Sequence, residues 1–259
     1  MALLEIHKLT KRFGGLLALN GVDLALEEGV IASLIGPNGA GKTTLFHILT
    51  GIYRPDRGEI LYGDLSIVGL SPDRITGRGI ARTFQNIRLF AGMTVLENVL
   101  VGMHSRIEAG LADILFRTRR FGAREQEAKE RALELLGLVG LAGRAGEWAQ
   151  HLPYGDQRRL EIARALASAP RLLLLDEPTA GMNPSEARSL MALIKNLIGK
   201  YVRAVLLIEH NMRVVMGISD WIAVLDHGEK IAAGSPAEVR RNPRVIEAYL
   251  GRGQWGEQG

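Results

Sequence analysis

Nine consecutive residues, Gly36-Pro37-Asn38-Gly39-Ala40-Gly41-Lys42-Thr43-Thr44, limit what this chain can fold into more than any other stretch. Ahead of them, Val30-Ile31-Ala32-Ser33-Leu34-Ile35 is a short apolar run that reads as a buried strand. Behind them, Leu45, Ile48 and Leu49 recur at helical spacing. A strand therefore feeds a glycine-rich turn that opens a helix, the context in which a GxxxxGK[ST] pattern carries meaning. Glycines let the backbone curl until successive N–H groups point at phosphate oxygens. The helix N-terminus adds its partial positive charge. Lys42 supplies a point charge for the outer phosphates of a nucleotide, and Thr43 offers a hydroxyl to Mg²⁺. Gly36, Asn38, Gly39, Gly41, Lys42, Thr43 and Thr44 are the candidate nucleotide contacts.

The rest of the chain reads as an α/β core into which a helical segment is inserted. Leu4–Leu9 and Val22–Leu26 alternate as strands of an antiparallel edge sheet, with the turn Phe13-Gly14-Gly15 between them. Pro55-Asp56-Arg57-Gly58 is a turn leading into the short strand Glu59–Tyr62. From Met93 to Ser168 the texture becomes helical. Leu96, Val99 and Leu100 share a face, Glu125–Leu136 is rich in helix formers, and Gln157–Ser168 is a helix with Leu160, Ala163 and Leu166 inward and Arg158, Arg159, Glu161 and Arg164 mostly outward. Leu172-Leu173-Leu174-Leu175-Asp176 is apolar without alternation, which suits a parallel strand covered on both faces. Asn183, Pro184 and Glu186 occupy N-cap, N1 and N3 of the next helix. Ala204–Ile208 is another buried strand, Ile222–Leu225 and Lys230–Ala233 flank a turn, and Pro236–Tyr249 is a pair of short helices broken at Pro243. The expected division is 1–92 with 169–235 as a P-loop NTPase core carrying the antiparallel subdomain, 93–168 as the helical subdomain, and 236–259 as C-terminal helices and a loose tail.

Composition narrows the class. The chain has 259 residues, 47% hydrophobic and 23% charged, as ordinary soluble proteins do. No apolar run reaches membrane-spanning length. Glu5 and His7-Lys8 interrupt any signal-peptide core at the N-terminus. With no cysteine, neither a disulfide framework nor a thiolate metal site is available. These features favour the cytosol. A net charge of +4 is small for this length and demands no nucleic-acid partner.

A P-loop alone leaves the reaction open. Asp176 ends an apolar strand, where α/β folds place ligands, and can hold Mg²⁺. Glu177 follows it, placed to polarise a water for attack on a γ-phosphate.

Leu152-Pro153-Tyr154-Gly155-Asp156-Gln157-Arg158-Arg159-Leu160-Glu161, just upstream of Leu172–Pro178, resembles the signature segment of the ATPases of ABC transporters. The resemblance covers nearly the whole chain. It implies ATP and Mg²⁺ as ligands and ATP hydrolysis coupled to transport. By position it implies that Phe13 stacks on adenine, that Gln85 in Arg82-Thr83-Phe84-Gln85-Asn86 contacts Mg²⁺ and senses the membrane subunit, and that His210 contacts the γ-phosphate. It also implies that Tyr154, Gly155, Asp156 and Gln157 cover the nucleotide of a second subunit, head to tail. Two departures stand out. Pro153 and Tyr154 replace the usual Ser and Gly of the signature, and Asn183 stands where Asp is common. Pro153 has neither hydroxyl nor N–H, so a serine contact to the γ-phosphate is lost.

Ala81–Phe90, the Tyr-containing signature and Asn242–Gly251 resemble the LivG-type ATP-binding proteins of branched-chain amino-acid importers, a branch of that family. That resemblance implies membrane permease subunits as partners, a second ATP-binding subunit of LivF type or a second copy of the chain, a solute-binding protein engaged indirectly, and a peripheral place on the cytoplasmic face of the inner membrane. Relatives moving urea, short amides or lipopolysaccharide remain open alternatives. So do a soluble ABC ATPase acting in translation or DNA repair and a regulatory module without turnover. Against the nucleic-acid alternative, the chain has one cassette and no long coiled-coil insertion; the Arg117–Arg120 stretch reads as a solvated loop or one near lipid headgroups. Leu89 and Phe90, apolar beside Gln85, predict a docking surface for a permease helix.

Overall fold

A computed structural model of the chain describes residues 2–104 and 119–250. Among the described residues ten strands make two sheets. The smaller has the order β2-β1-β4-β5 and the larger β10-β9-β3-β8-β7-β6. β1 (Ala2–Phe13) and β2 (Leu16–Glu27) form an antiparallel hairpin, and β4 (Arg57–Tyr62) pairs on the other edge of β1, followed by β5 (Leu65–Ser66). Both hairpin strands are about twice as long as their alternation indicates. The extension pairs Phe13 with Leu16 across Gly14-Gly15, so Phe13 stands at the hairpin tip. The register shifts around Leu9 and Lys11 explain why the alternation fades there, since each bulge flips the phase of the pattern.

In the larger sheet, β3 (Ile31–Ile35), β6 (Ile80–Arg82), β7 (Leu172–Asp176), β8 (Ala204–Ile208) and β9 (Trp221–Asp226) run parallel, and β10 (Glu229–Gly234) closes one edge antiparallel. Successive residues of β7 serve two different cores. Leu172 and Leu174 pack towards the small sheet and α1 (Lys42–Leu49), and Leu173 and Leu175 pack towards the helices. That is why the strand shows no polar alternation.

The helical side comprises α3 (Val95–Gly102), α4 (Arg119–Leu138), α5 (Tyr154–Ala167) and α6 (Pro184–Leu197). Capping boxes start two of them, Thr94 with Glu97 and Asn183 with Glu186. Short helices escape a periodicity reading: α2 (Pro72–Gly77) and α7 (Met212–Ile218) are barely two turns each. α8 (Pro236–Arg241) and α9 (Pro243–Leu250) are the pair broken at Pro243, and Val239, Val245 and Tyr249 pack them against β9. Arg117, Thr118 and the tail 251–259 lie outside the described residues. No helix among the described residues is long and apolar enough to cross a membrane.

Two expectations for α5 are corrected. The helix begins at Tyr154, not Gln157, because the amides of Asp156 and Gln157 already donate to the Pro153 carbonyl at 3.0 Å each. Arg158 and Glu161 are not outward; both are 2% exposed, because they pair with each other and with the backbone of Phe84 and Gln85.

Candidate functional site

The parallel strands deliver their C-terminal ends to one edge of the large sheet. β3 runs into the glycine-rich loop, β7 ends at Asp176, β8 leads into Glu209-His210, and β6 leads into Thr83-Phe84-Gln85. Parallel pairing of neighbours makes this juxtaposition unavoidable.

The loop needs its glycines for space as well as curvature. Gly36 has φ +147°, and a Cβ there would fall 2.0 Å from the Leu225 carbonyl oxygen; at Gly41, φ +102°, it would fall 2.5 Å from that of Ala18. Lys42 is buried and arches back over the loop, donating to the carbonyls of Gly36 at 2.7 Å and Pro37 at 2.9 Å. Burial pulls its ammonium down to about 8, against the opposing pull of the Glu177 and Asp176 charges.

A cleft of about 490 Å³ opens above the loop, lined by Phe13, Asn38, Gly39, Gly41, Lys42, Thr43, Thr44, Gln85, Glu177 and His210. Glu177 is its hub. Its backbone takes φ +48°, rare for a residue with a side chain. His210 Nε2 sits 2.6 Å from one carboxylate oxygen, and Gln85 Nε2 donates to the other at 3.0 Å. Phe13 is 39% exposed at the cleft rim, meets Tyr53 edge-on at 5.1 Å and has the Lys11 ammonium 5.3 Å from its ring centroid.

Asp176 differs from its neighbours. It is buried and its carboxylate accepts from the Arg82 guanidinium at 2.7 Å. Arg82 in turn lies 5.4 Å from the ring of Phe46 and 5.2 Å from that of Phe84. No group of three His, Cys, Asp or Glu side chains able to cage a metal exists among the described residues. The Thr43 hydroxyl, the Gln85 amide oxygen and the Asp176 carboxylate are nonetheless hard oxygen donors. Such a set fits Mg²⁺ that arrives on phosphates and keeps much of its own water.

Tyr154, Gly155, Asp156 and Gln157 are not brought to this cleft. Tyr154 lies over Gly181, Asp156 pairs with Arg144 at 2.7 Å, and Gln157 donates to the Leu152 carbonyl at 2.9 Å. Gly155 sits beside Glu186, in the first turn of α6. Asn183 caps that helix, accepting from Ser185 and Glu186 at 2.9 and 3.0 Å.

Sequence reasoning passes over Glu209, which ends an apolar strand just as Asp176 does. Glu209 is 4% exposed and accepts from the Thr179 and His210 amides, each at 3.0 Å, bracing the turn after Glu177 against the turn that carries His210. A lone acid after a solid apolar run is the signal that marks it. Arg82 carries a similar signal, a cation at the end of a buried strand.

The family model for ABC transporters matches residues 19–180, more than half of the chain. The chain belongs to the ABC transporter family. A second model, of a branched-chain amino acid ATP-binding cassette transporter, matches residues 229–254, which cover β10, α8 and α9. This ABC protein is 50% identical to the high-affinity branched-chain amino acid transport ATP-binding protein LivG of Escherichia coli (strain K12), over 96% of this chain and 98% of that one. It is also 50% identical to BraF of Pseudomonas aeruginosa, over the same shares of both chains. Among solved structures, an ABC-transporter cassette in its ADP conformation superposes with a TM-score of 0.85 at 33% identity, covering 97% of this chain and 99% of that one. A dimeric cassette in a post-hydrolysis state, bound to ADP and Pi, superposes at 0.76 with 27% identity, covering 90% and 98%. The mixed-sheet P-loop core with an antiparallel sheet and a helical side, anticipated from sequence, is the fold these ABC cassettes share.

Proposed function

We propose that this chain is the ATP-hydrolysing subunit of a membrane importer for branched-chain amino acids, working at the cytoplasmic face of the membrane. The observation that carries the reaction is the Glu177 carboxylate, held at both oxygens by His210 and Gln85 over the P-loop. The amides of Gly39, Gly41, Lys42, Thr43 and Thr44 and the Lys42 ammonium receive the phosphates. Lys42 releases its two carbonyl partners and turns to the phosphate oxygens, whose charge restores its proton affinity. Phe13 stacks on the base. Glu177 accepts the proton of the attacking water, and His210 and Gln85 fix the direction from which it does so. Mg²⁺, when bound, neutralises phosphate charge; Thr43, Gln85 and Asp176 would hold it.

Tyr154, Gly155, Asp156 and Gln157 serve a second chain's nucleotide. They lie outside the cleft of their own chain, and no side chain caps the start of α5. The second chain is another copy or a LivF-type subunit. The groove near Arg82, Arg88, Phe90, Val101 and Arg164, about 400 Å³ in volume, takes a helix of the permease. The solute-binding protein works through the permease, and no nucleic acid takes part. The 50% identity to LivG and BraF and the C-terminal model match support the branched-chain amino-acid substrate. Glu177→Gln tests the reaction: it should retain ATP binding and stop turnover, and turnover at the native rate would remove Glu177 from its role as base. Uptake of labelled leucine by vesicles holding the chain with its permease tests the substrate.

A further inference from the structure

Arg158, in the first turns of α5, joins three places that the reaction treats separately. One guanidinium nitrogen donates to the Phe84 carbonyl at 2.6 Å and to Glu161 at 3.1 Å. The other donates to the Gln85 carbonyl and, at 3.1 Å, to the Tyr154 hydroxyl. Glu161 completes the clamp by accepting from the Phe84 amide at 3.3 Å. Both residues are 2% exposed, so each charge depends on the other and on these backbone groups for compensation. Gln85, with its carbonyl gripped in this way, sends its side chain to Glu177 at 3.0 Å. At the opposite end, Tyr154 is 45% exposed at the start of α5, with its ring 5.5 Å from the Arg158 guanidinium. An unbroken line of contacts therefore runs from an exposed tyrosine through a buried arginine to the proposed base.

We propose that Arg158 is a positioning residue that sets where Gln85 holds Glu177, and that Tyr154 is the exposed end through which contacts at the start of α5 adjust that setting. This rests on the function proposed above, in which Glu177 is the base and Tyr154 meets the nucleotide of a second chain. One ATP site then reports its occupancy to the other through a single side chain. An arginine is required because its planar fork offers donors in several fixed directions at once; a lysine concentrates its donors at one point and cannot reach two carbonyls, a carboxylate and a hydroxyl together. A pair that only fastened α5 to the sheet would have no need of the Tyr154 hydroxyl or of the Gln85 carbonyl.

Two substitutions separate positioning from fastening. Arg158→Lys keeps the charge opposite Glu161, and Tyr154→Phe removes only a hydroxyl at a half-exposed site. In the full chain with Mg-ATP, Arg158→Lys should lower kcat roughly tenfold and Tyr154→Phe about threefold, with KM for ATP held within about twofold. In a Gln85→Ala background both losses should shrink to under about twofold, because residues that act through one another are not additive. Equal losses in the two backgrounds, or an unchanged kcat for Arg158→Lys, overturn the proposal. Amide hydrogen exchange supplies a readout without turnover. Arg158→Lys should speed exchange across residues 83–90 and leave α1 at its native rate, whereas uniform acceleration through the chain means fastening and overturns the proposal. If the native chain hydrolyses no ATP, the function proposed above fails, and the exchange experiment alone judges the link to Gln85.

Discussion

Glu177 and His210 meet at 2.6 Å across the ends of two adjacent parallel strands. The contact sets the carboxylate's direction before any substrate is present. His210→Ala removes one of the two groups that orient it. We expect kcat for ATP to fall roughly a hundredfold, the scale on which small misplacements of reacting groups act. The exposed His210 should contribute little to folding, so the urea midpoint should stay near the native value. A stopped-flow or coupled ATPase assay beside a denaturation curve checks both halves.

Lys42 makes a prediction about pH. Its folded pKa is lowered to about 8 from 10.5, chiefly by burial. Between those two values the unfolded chain binds the proton and the folded chain does not, so stability must rise with pH through that window. Lys42→Met has no such group. The native protein should therefore gain on the variant by about 3 kcal/mol as pH climbs through that window, in the absence of nucleotide. Phosphates reverse the shift, so saturating ATP should flatten the difference. Parallel urea titrations at several pH values decide it, and a gap that is flat without nucleotide would show that burial does not govern this lysine.

The parts of this molecule that the sequence disclosed are those where one physical cause acts alone. The P-loop is legible because glycine, lysine and threonine at that spacing between a strand and a helix suit phosphate and little else. β7 and β8 are legible because burial on both faces leaves no room for polar residues. Arg158 and Glu161 mislead for the opposite reason. Charged residues on a helix normally face water, and these are buried because each neutralises the other while the carbonyls of residues 84 and 85, distant in sequence, accept from the two terminal guanidinium nitrogens. The start of α5 misleads because Tyr154 and Gly155 are modest helix formers, and the helix is begun by Pro153, whose carbonyl accepts the first bonds. Arg82 with Asp176 joins β6 to β7, a pairing that no local pattern encodes.

Leu89 and Phe90 are adjacent apolar residues beside Gln85, and their surroundings differ. Leu89 packs against the core of the helical side, while Phe90 is 46% exposed beside Arg164, 5.6 Å from its guanidinium. Asn98 holds the Phe90 backbone by its amide at 2.9 Å and its carbonyl at 3.1 Å, which keeps the ring presented. A photo-cross-linker at position 90 should therefore capture the permease in membranes, and one at position 89 should give only intramolecular products. Equal capture from both positions would place the permease elsewhere on this surface.

The site is incomplete within one chain. Glu177, Lys42 and the loop amides surround one side of the cleft, and the cleft is open enough for Phe13, His210 and Gln85 all to be exposed at its walls. Water on the remaining side would weaken every charge interaction the reaction depends on. The first turn of α5 offers the missing wall, and its own chain holds it away from the cleft, over Gly181. On the proposed function a second chain supplies it, and ATP bridging the two halves should then drive association. Pro153, exposed at the helix start, gives no hydroxyl to the bridged phosphate, so self-association should be weaker than association with a second ATP-binding subunit that carries a hydroxyl at this position. Glu177→Gln should trap the bridged state by blocking turnover. Its molar mass in light scattering should be that of a monomer without nucleotide, rise towards a dimer with Mg-ATP, and reach a full heterodimer at lower concentration when the second subunit is added. A mass that stays monomeric in all three conditions, with ATP bound, would mean that the wall comes from elsewhere and that Tyr154 faces no nucleotide.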